Sequence, residues 1–235
     1  MKQDLLVSVE AMADNIGVSD DLLVDCRFVL DKPEAGYLAY LEGHLPGAVS
    51  ANLDLDLSSP VAQASGRHPL PGEGEFAGFL SSIGWLPGRR MVVYDDMGGA
   101  IGGRLWWLMK YFGHDSAVLL DGGINAWTAA GYELETGGVE VKPAPASPCN
   151  VRDELVLTSD DVALRLADES IVLVDARAPE RFRGEVEPID RVAGHIPGSV
   201  NYPFNLNLGA DGFFKPAAEL YDGLSALNID GESRD

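Results

Sequence analysis

The residues of this sequence best suited to chemistry form two acid–base pairs, and each pair ends an apolar run. Asp25 and Arg27 follow one run, and Asp175 and Arg177 follow another. Open α/β sheets place functional groups at the carboxyl ends of their strands, so each pair could act on a substrate there. The other interpretation is a structural ion pair that ties the end of a strand to the following loop.

A histidine follows each pair in the pattern Gly-His-x-Pro-Gly. His44 belongs to the first copy of this pattern and His195 to the second. Proline fixes φ and glycine permits a tight bend, so the pattern is typical of a turn that leads into the next strand. These residues therefore favour a structural histidine over a catalytic one.

A glycine-rich loop at 95–103 follows the apolar run Met91–Tyr94 and precedes a helical stretch. This layout directs several backbone N–H groups at one point and predicts a cradle for an anion or a thiolate. A cysteine in such a cradle would be acidic and nucleophilic. The first loop residue is Asp95, whose carboxylate can occupy the cradle but cannot carry sulfur.

These motifs recur because the chain contains an internal repeat. The acid–base pair reappears after 150 residues and the histidine motif after 151, in the same order. Such spacing indicates a duplicated domain, and a segment with three prolines and several small residues is typical of an extended linker. We therefore predict one domain at 1–137, a linker at 138–150 and a second domain at 151–235.

Apolar runs and helical stretches alternate within the first copy. The runs at 22–24, 91–94 and 117–120 suit buried strands, and the stretches at 75–83 and 102–112 suit helices. This alternation predicts an α/β fold in which each domain has a mostly parallel sheet flanked by helices.

The second copy is shorter than the first. Asp230 and Gly231 align with Pro87 and Gly88, and the segment from residue 91 to about 136, with two of the predicted strands, has no counterpart. We therefore expect the natural chain to continue past Asp235.

Composition restricts the partners and the location of the protein. The 37 acidic residues exceed the 17 basic ones, and a net charge of −20 disfavours nucleic acids and anionic membranes as partners. Two cysteines cannot form a disulfide framework, and no apolar run suits a secretion signal or a membrane span, so we expect a cytoplasmic location. Asp54 and Asp56 lack the further ligands that calcium requires, so we expect neither a metal nor another cofactor.

In this order, the motifs resemble those of tandem-domain rhodaneses, the sulfurtransferase family that includes thiosulfate and 3-mercaptopyruvate sulfurtransferases. The resemblance rests on both acid–base pairs, both histidine motifs and the segments Val92–Asp95, Leu120–Trp127 and Ala178–Gly184. It covers essentially the whole chain.

This resemblance implies transfer of sulfane sulfur from thiosulfate or a related anionic donor to a thiol or cyanide, through a cysteine persulfide. It makes the first domain the inactive copy, with Asp95 at the position of the nucleophile, and it makes Arg181 the donor-binding arginine. Mercaptopyruvate-type members have a second arginine after an acidic-Pro stretch. Here Ile189 follows Pro188, and Arg191, two residues further on, is the candidate for this second substrate-binding arginine. The departure from the family pattern puts mercaptopyruvate specificity in doubt.

Neither cysteine of the sequence matches the family nucleophile. Cys26 lies inside the first acid–base pair, where the second copy has Ala176, so we expect a small buried side chain. Cys149 lies in the predicted linker, and we expect a free surface thiol. The repeat offset places the family cysteine at about position 238 or 239, beyond Asp235.

Two other functions stay open from the sequence. One is a non-catalytic rhodanese-like binding or regulatory module, and the other is a phosphatase-like cysteine enzyme on the same fold. The loop that would hold the cysteine distinguishes them, because phosphate chemistry uses a longer loop with a closing arginine.

Overall fold

Five parallel strands form the centre of the first half of this computed structural model, which describes residues 5–63, 65–167 and 171–227. Their order in the sheet is β1-β5-β4-β2-β3. The strands are β1 (Leu6–Val7), β2 (Leu22–Asp25), β3 (Val49–Ser50), β4 (Met91–Tyr94) and β5 (Ala117–Leu120). The predicted α/β fold with a mostly parallel sheet is confirmed.

Helices cover both faces of this sheet because its central strands are apolar on both sides. Val24 and Val93 point into one core cluster, and Leu23 and Val92 point into the other. The alternation of side chains along each strand produces these two clusters. The helices are α1 (Val9–Asn15), α2 (Ala35–Glu42), α3 (Glu73–Ser82), α4 (Gly102–Tyr111) and α5 (Gly123–Ala129), and a 3-10 turn follows at Asp153–Leu155.

The chain divides into two compact units, Met1–Leu155 (unit 1) and Val156–Asp235 (unit 2). In unit 2 a short parallel pair of strands repeats the register seen in unit 1. Asp175 pairs with Asn201 as Asp25 pairs with Ser50. The elements of unit 2 are α6 (Ser159–Ala167), β6 (Val174–Asp175), α7 (Pro179–Phe182), β7 (Val200–Asn201), a 3-10 turn at Phe204–Asn207 and α8 (Ala217–Ser225). The alignment of Asp230 and Gly231 with the first copy falls outside the described residues.

The segment 138–150, predicted as a linker, lies along unit 1. The Ala144 amide donates to the Ser81 carbonyl at 2.9 Å, and the Asn150 amide donates to the Phe112 carbonyl at 2.9 Å. Val139 and Val141 pack against the core cluster of unit 1. The compact unit 1 therefore continues past residue 137. The division into domains at 1–137 and 151–235 stays a prediction.

None of the helices found in the described ranges combines the length and the apolar character that crossing a membrane requires.

The helix α2 approaches the loop after β2 so closely at Gly36 that no side chain fits there. A Cβ at Gly36 would lie 1.9 Å from the Arg27 carbonyl oxygen. We expect Gly36→Ala to lower the free energy of unfolding of unit 1 by about 1–3 kcal/mol, because either the helix or the loop must move. Urea unfolding followed by tryptophan fluorescence measures this, since Trp85, Trp106, Trp107 and Trp127 all lie in unit 1.

The matched control is Gly78→Ala in α3, where an added Cβ meets no atom within 4 Å. Alanine is the better helix former, so this variant should be unchanged or more stable by up to about 1 kcal/mol. Equal losses in the two variants would contradict the steric explanation.

Candidate functional site

Asp95 follows β4, and its carboxylate lies at the centre of the glycine-rich loop. One carboxylate oxygen accepts from the amides of Met97 and Gly99 at 2.9 and 2.8 Å. The other accepts from the amides of Ile101 and Gly102, both at 2.8 Å. With 1% of its surface exposed, Asp95 occupies a cradle of four backbone donors.

Glycines shape this cradle. Gly98 and Gly99 have φ values of 67° and 86°, which turn consecutive N–H groups toward one point. From the other side, a Cβ at Gly123 would lie 2.1 Å from the Asp95 carbonyl oxygen, so glycine is needed for α5 to begin there. The Ile124 amide donates to that carbonyl at 3.1 Å. The loop thus binds one anionic group, and here that group is the chain's own carboxylate.

The first acid–base pair lies at the end of β2, the strand beside β4. Arg27 Nε lies 3.1 and 3.0 Å from the two Asp25 oxygens, and Arg27 Nη2 lies 2.6 Å from Oδ2. Nη2 also donates to the carbonyls of Ala39 and Gly43 at 3.1 and 2.6 Å. These contacts join the strand to the end of α2 and support the structural interpretation of the pair.

The second acid–base pair repeats this geometry in unit 2. Arg177 Nη2 lies 2.5 Å from Asp175 Oδ2 and 2.7 Å from the carbonyl of Gly194, the counterpart of Gly43. The hydrogen bond from Arg177 lowers the pKa of Asp175. This pair also ties a strand end to the turn that carries a histidine.

Both histidines contact backbone and an aromatic ring. His44 is buried, its Nδ1 lies 2.8 Å from the Tyr40 carbonyl, and its ring stacks on Tyr40 at 4.1 Å. His195 is exposed, but its Nδ1 lies 2.6 Å from the Phe182 carbonyl and its ring stacks on Phe182 at 3.7 Å. A carbonyl only accepts, so Nδ1 carries the proton in both rings.

Arg181 lies at the end of α7, where two carboxylates bind its guanidinium. Arg181 Nη2 lies 2.8 and 3.1 Å from the Glu187 oxygens, and Nε lies 3.3 Å from Glu187 Oε2. Nη2 also lies 3.1 Å from Asp190 Oδ2. Sequence reasoning missed both acids, because their spacing alone does not show that the loop 183–193 folds back over α7.

The Glu187 carboxylate is held by backbone amides as well as by Arg181. Its Oε1 accepts from the amides of Asp190 and Ile189 at 2.8 and 3.0 Å. The Asp190 amide and the Arg181 guanidinium together lower the pKa of Glu187 to about 2. Arg191, the second predicted donor-binding residue, is exposed on the same loop, and we find no ion pair for it within the described ranges.

Neither cysteine has the environment of a nucleophile. Cys26 is fully buried, and its burial together with the nearby Asp25 and Asp95 charges raises the pKa of its thiol well above the ordinary value. Cys149 is a free thiol, as predicted, but it is only partly exposed because it packs against the core cluster of unit 1. Burial and the Glu73 charge raise the pKa of Cys149 too.

An Asp–His pair that the sequence did not reveal lies in unit 1. His68 Nε2 lies 3.0 Å from Asp54 Oδ1. Arg104 holds the turn by donating to the His68 carbonyl at 3.0 Å and to the Leu57 carbonyl at 2.9 Å. Burial lowers the pKa of His68, although the Asp54 carboxylate opposes this shift.

Asp54 and Asp56 line a surface cleft of 580 Å³ in unit 1. Within the part of the chain that the structure describes, no group of three His, Cys, Asp or Glu side chains is arranged to hold a metal ion.

Two segments of the chain, residues 8–130 and 158–227, match the family model of the rhodanese-like domain. A Pseudomonas aeruginosa protein named "Probable 3-mercaptopyruvate sulfurtransferase" is 42% identical over 229 residues, which cover 97% of this chain and 80% of that protein. The Arabidopsis thaliana thiosulfate/3-mercaptopyruvate sulfurtransferase 2 is 32% identical over 240 residues, which cover 92% of this chain and 69% of that protein.

Solved structures show the same likeness. The crystal structure of the 3-mercaptopyruvate sulfotransferase SseA from Escherichia coli superimposes with a TM-score of 0.81 at 29% identity, and it covers 96% of this chain and 82% of that chain. Over nearly its whole length, the chain is therefore similar to proteins that are named as sulfurtransferases.

The cradle around Asp95 should stabilise unit 1. We expect Asp95→Ala to lower the free energy of unfolding by about 2–4 kcal/mol, because four N–H groups, one of them buried and three partly buried, lose their acceptor. Asp96→Ala is the control, because Asp96 is exposed and adjacent in sequence, and it should change stability by less than about 0.5 kcal/mol. Urea unfolding followed by tryptophan fluorescence measures both variants, and a similar loss in both would argue against the cradle.

Glu187 should make the stability of unit 2 depend on acid pH. Its pKa is lowered in the folded state, so its contribution is fully present above pH about 4.5 and is lost as the pH falls toward 2. The difference in unfolding free energy between wild type and Glu187→Gln should therefore shrink over that range. Urea titrations followed by the amide NMR signals of unit 2 measure it.

Glu185→Gln is the control for this pH dependence, because Glu185 and its partner Arg183 are both more than half exposed and are screened by solvent. Its difference from wild type should stay small at every pH. A Glu187→Gln difference that is the same at pH 2 and pH 7 would show that the carboxylate is not ionised in this way.

Proposed function

Because the chain belongs to the rhodanese family and is an enzyme of the sulfurtransferase type, we propose that it moves sulfane sulfur from thiosulfate or a related anionic donor to a thiol or cyanide. The observation that carries this proposal is the loop after β4, in which four backbone amides converge on one anionic group. A persulfide anion needs such an environment, and a second copy of this loop would provide it.

The proposed reaction is a double displacement. A cysteine thiolate attacks the outer sulfur of thiosulfate, the S–S bond breaks, and sulfite leaves with the electron pair. The acceptor thiolate or cyanide then attacks the outer sulfur of the cysteine persulfide. The cysteine leaves as a thiolate, so the enzyme returns to its starting state.

The nucleophile in this proposal is the cysteine that the repeat places at about position 238 or 239, beyond Asp235. Two observations support this placement. The two cysteines of the chain are both held in environments that raise the pKa of the thiol, which lowers the thiolate fraction. In the first copy, the corresponding loop position holds Asp95, whose carboxylate fills the cradle and keeps that copy silent.

Arg181 is the donor-binding residue of the proposal, and Arg191 is a second candidate on the same loop. A guanidinium suits the paired oxygens of a thiosulfate or carboxylate group through its planar N–H donors. The hydrogen bonds from Arg181 to Glu187 and Asp190 use Nε and Nη2. In the proposal, a donor oxygen approaches at Nη1.

The cytoplasmic location stays a prediction.

The test measures thiocyanate formation from thiosulfate and cyanide by the native gene product, together with its intact mass. We expect the variant with both Cys26→Ala and Cys149→Ala to keep wild-type activity, since neither thiol is the nucleophile. We expect Arg181→Ala to raise the KM for thiosulfate at least about tenfold, because a charge-assisted contact is lost.

Arg183→Ala is the matched control, since Arg183 is exposed and pairs with Glu185 two residues away. It should change the KM less than about twofold. Loss of activity on replacing Cys149, or full activity in a protein whose mass ends at Asp235, would overturn the proposed mechanism. Donor binding without any sulfur transfer would favour the non-catalytic binding module.

A further inference from the structure

We propose that Asp190 is an internal competitor for the anionic donor at Arg181, whereas Glu187 is the positioning residue that holds the guanidinium in place. Asp190 then sets donor affinity and disfavours doubly charged donors relative to singly charged ones. This inference rests on the proposed role of Arg181 in donor binding.

The two carboxylates differ in how firmly they are held. The Glu187 side chain is 5% exposed and accepts from two atoms of Arg181 and from two backbone amides. The Asp190 side chain is 47% exposed and reaches Arg181 through a contact of 3.1 Å at Nη2. Because the Asp190 carboxylate is already partly in contact with solvent, moving it away from Arg181 should cost less free energy than moving the buried Glu187 carboxylate.

The geometry assigns different edges of the guanidinium to the two acids. Glu187 takes the edge formed by Nε and Nη2 of Arg181, as in a fork-shaped arginine–carboxylate pair. Nη2 carries a second proton, and Asp190 Oδ2 lies where that proton can be donated. A bound donor oxygen bridging Nη2 and Nη1 would need this same proton, so Asp190 occupies part of the proposed donor position.

Charge gives the direction of the effect. The Asp190 carboxylate carries one negative charge 3.1 Å from Arg181 Nη2, where the donor would bind. This charge repels an incoming dianion about twice as strongly as a monoanion at the same place. Removing it should therefore favour thiosulfate, with two charges, more than a 2-oxo acid with one.

The experiment is isothermal titration calorimetry on the native gene product, without a sulfur acceptor and at constant ionic strength, with thiosulfate as the dianionic probe and pyruvate as the monoanionic probe. We expect Asp190→Asn to tighten thiosulfate binding about 3- to 10-fold and pyruvate binding about half as much on a logarithmic scale. Glu185→Gln removes one negative charge from the same loop without touching Arg181, and it should change either affinity less than about twofold.

Glu187→Gln separates positioning from charge. It removes the same charge as Asp190→Asn, yet we expect weaker thiosulfate binding, because Arg181 loses the fork that orients it. Circular dichroism and a thermal melt check folding. If Glu187→Gln does not fold, the comparison of Asp190→Asn with Glu185→Gln decides alone.

Each outcome bears on a distinct claim. The competitor role would be overturned if Asp190→Asn bound thiosulfate no more tightly than Glu185→Gln. It would also be overturned if thiosulfate binding were too weak to detect in both wild type and Asp190→Asn, or if the gains in affinity were equal for the two probes. A folded Glu187→Gln that tightens binding as much as Asp190→Asn would overturn the positioning role of Glu187. Unchanged thiosulfate binding in Arg181→Ala would instead refute the donor role of Arg181 and leave the family assignment intact.

Discussion

Buried carboxylates at the carboxyl ends of parallel strands are the constraint on which the rest of this structure depends. A strand end leaves backbone groups that need partners away from water. Asp25 meets this need through Arg27, which reaches the carbonyls at the end of α2. Asp95 meets it by accepting four amides of its own loop. The positions of α2, the histidine turn and α4 follow from these two acids.

The sequence revealed those parts of the molecule whose cause is local. The apolar runs at β2, β4 and β5 predicted their strands, whereas β1 and β3 are two residues long and carry no such signal. The cradle could be predicted because glycines, an acid and a helix start lie within ten residues. The environment of Arg181 could not, because it depends on how the loop 183–193 folds back. The Asp54–His68 pair joins residues of one long loop, and their spacing did not suggest the contact.

The two copies share the acid–base pair and the histidine turn, but their other charged groups have different partners. In unit 1 the charged groups are largely satisfied from within, and the anion that the loop binds is part of the chain. In unit 2 the arginine of α7 is held by acids that differ in exposure, so one is firmly fixed and the other is open to exchange with solvent. Stability favours the first arrangement, whereas recognition of a small anion needs something close to the second, and such functional positions commonly lose stability.

The segment 138–150 bears on how the protein is synthesised. It is among the last parts of unit 1 to leave the ribosome, yet it supplies apolar contacts to a core whose strands emerge much earlier. Arg152 then closes the segment by pairing with Asp115 at 2.6 Å. A nascent chain that has emerged only to residue 137 therefore exposes part of its core surface, and the order of translation leaves unit 1 open to chaperones until this segment docks.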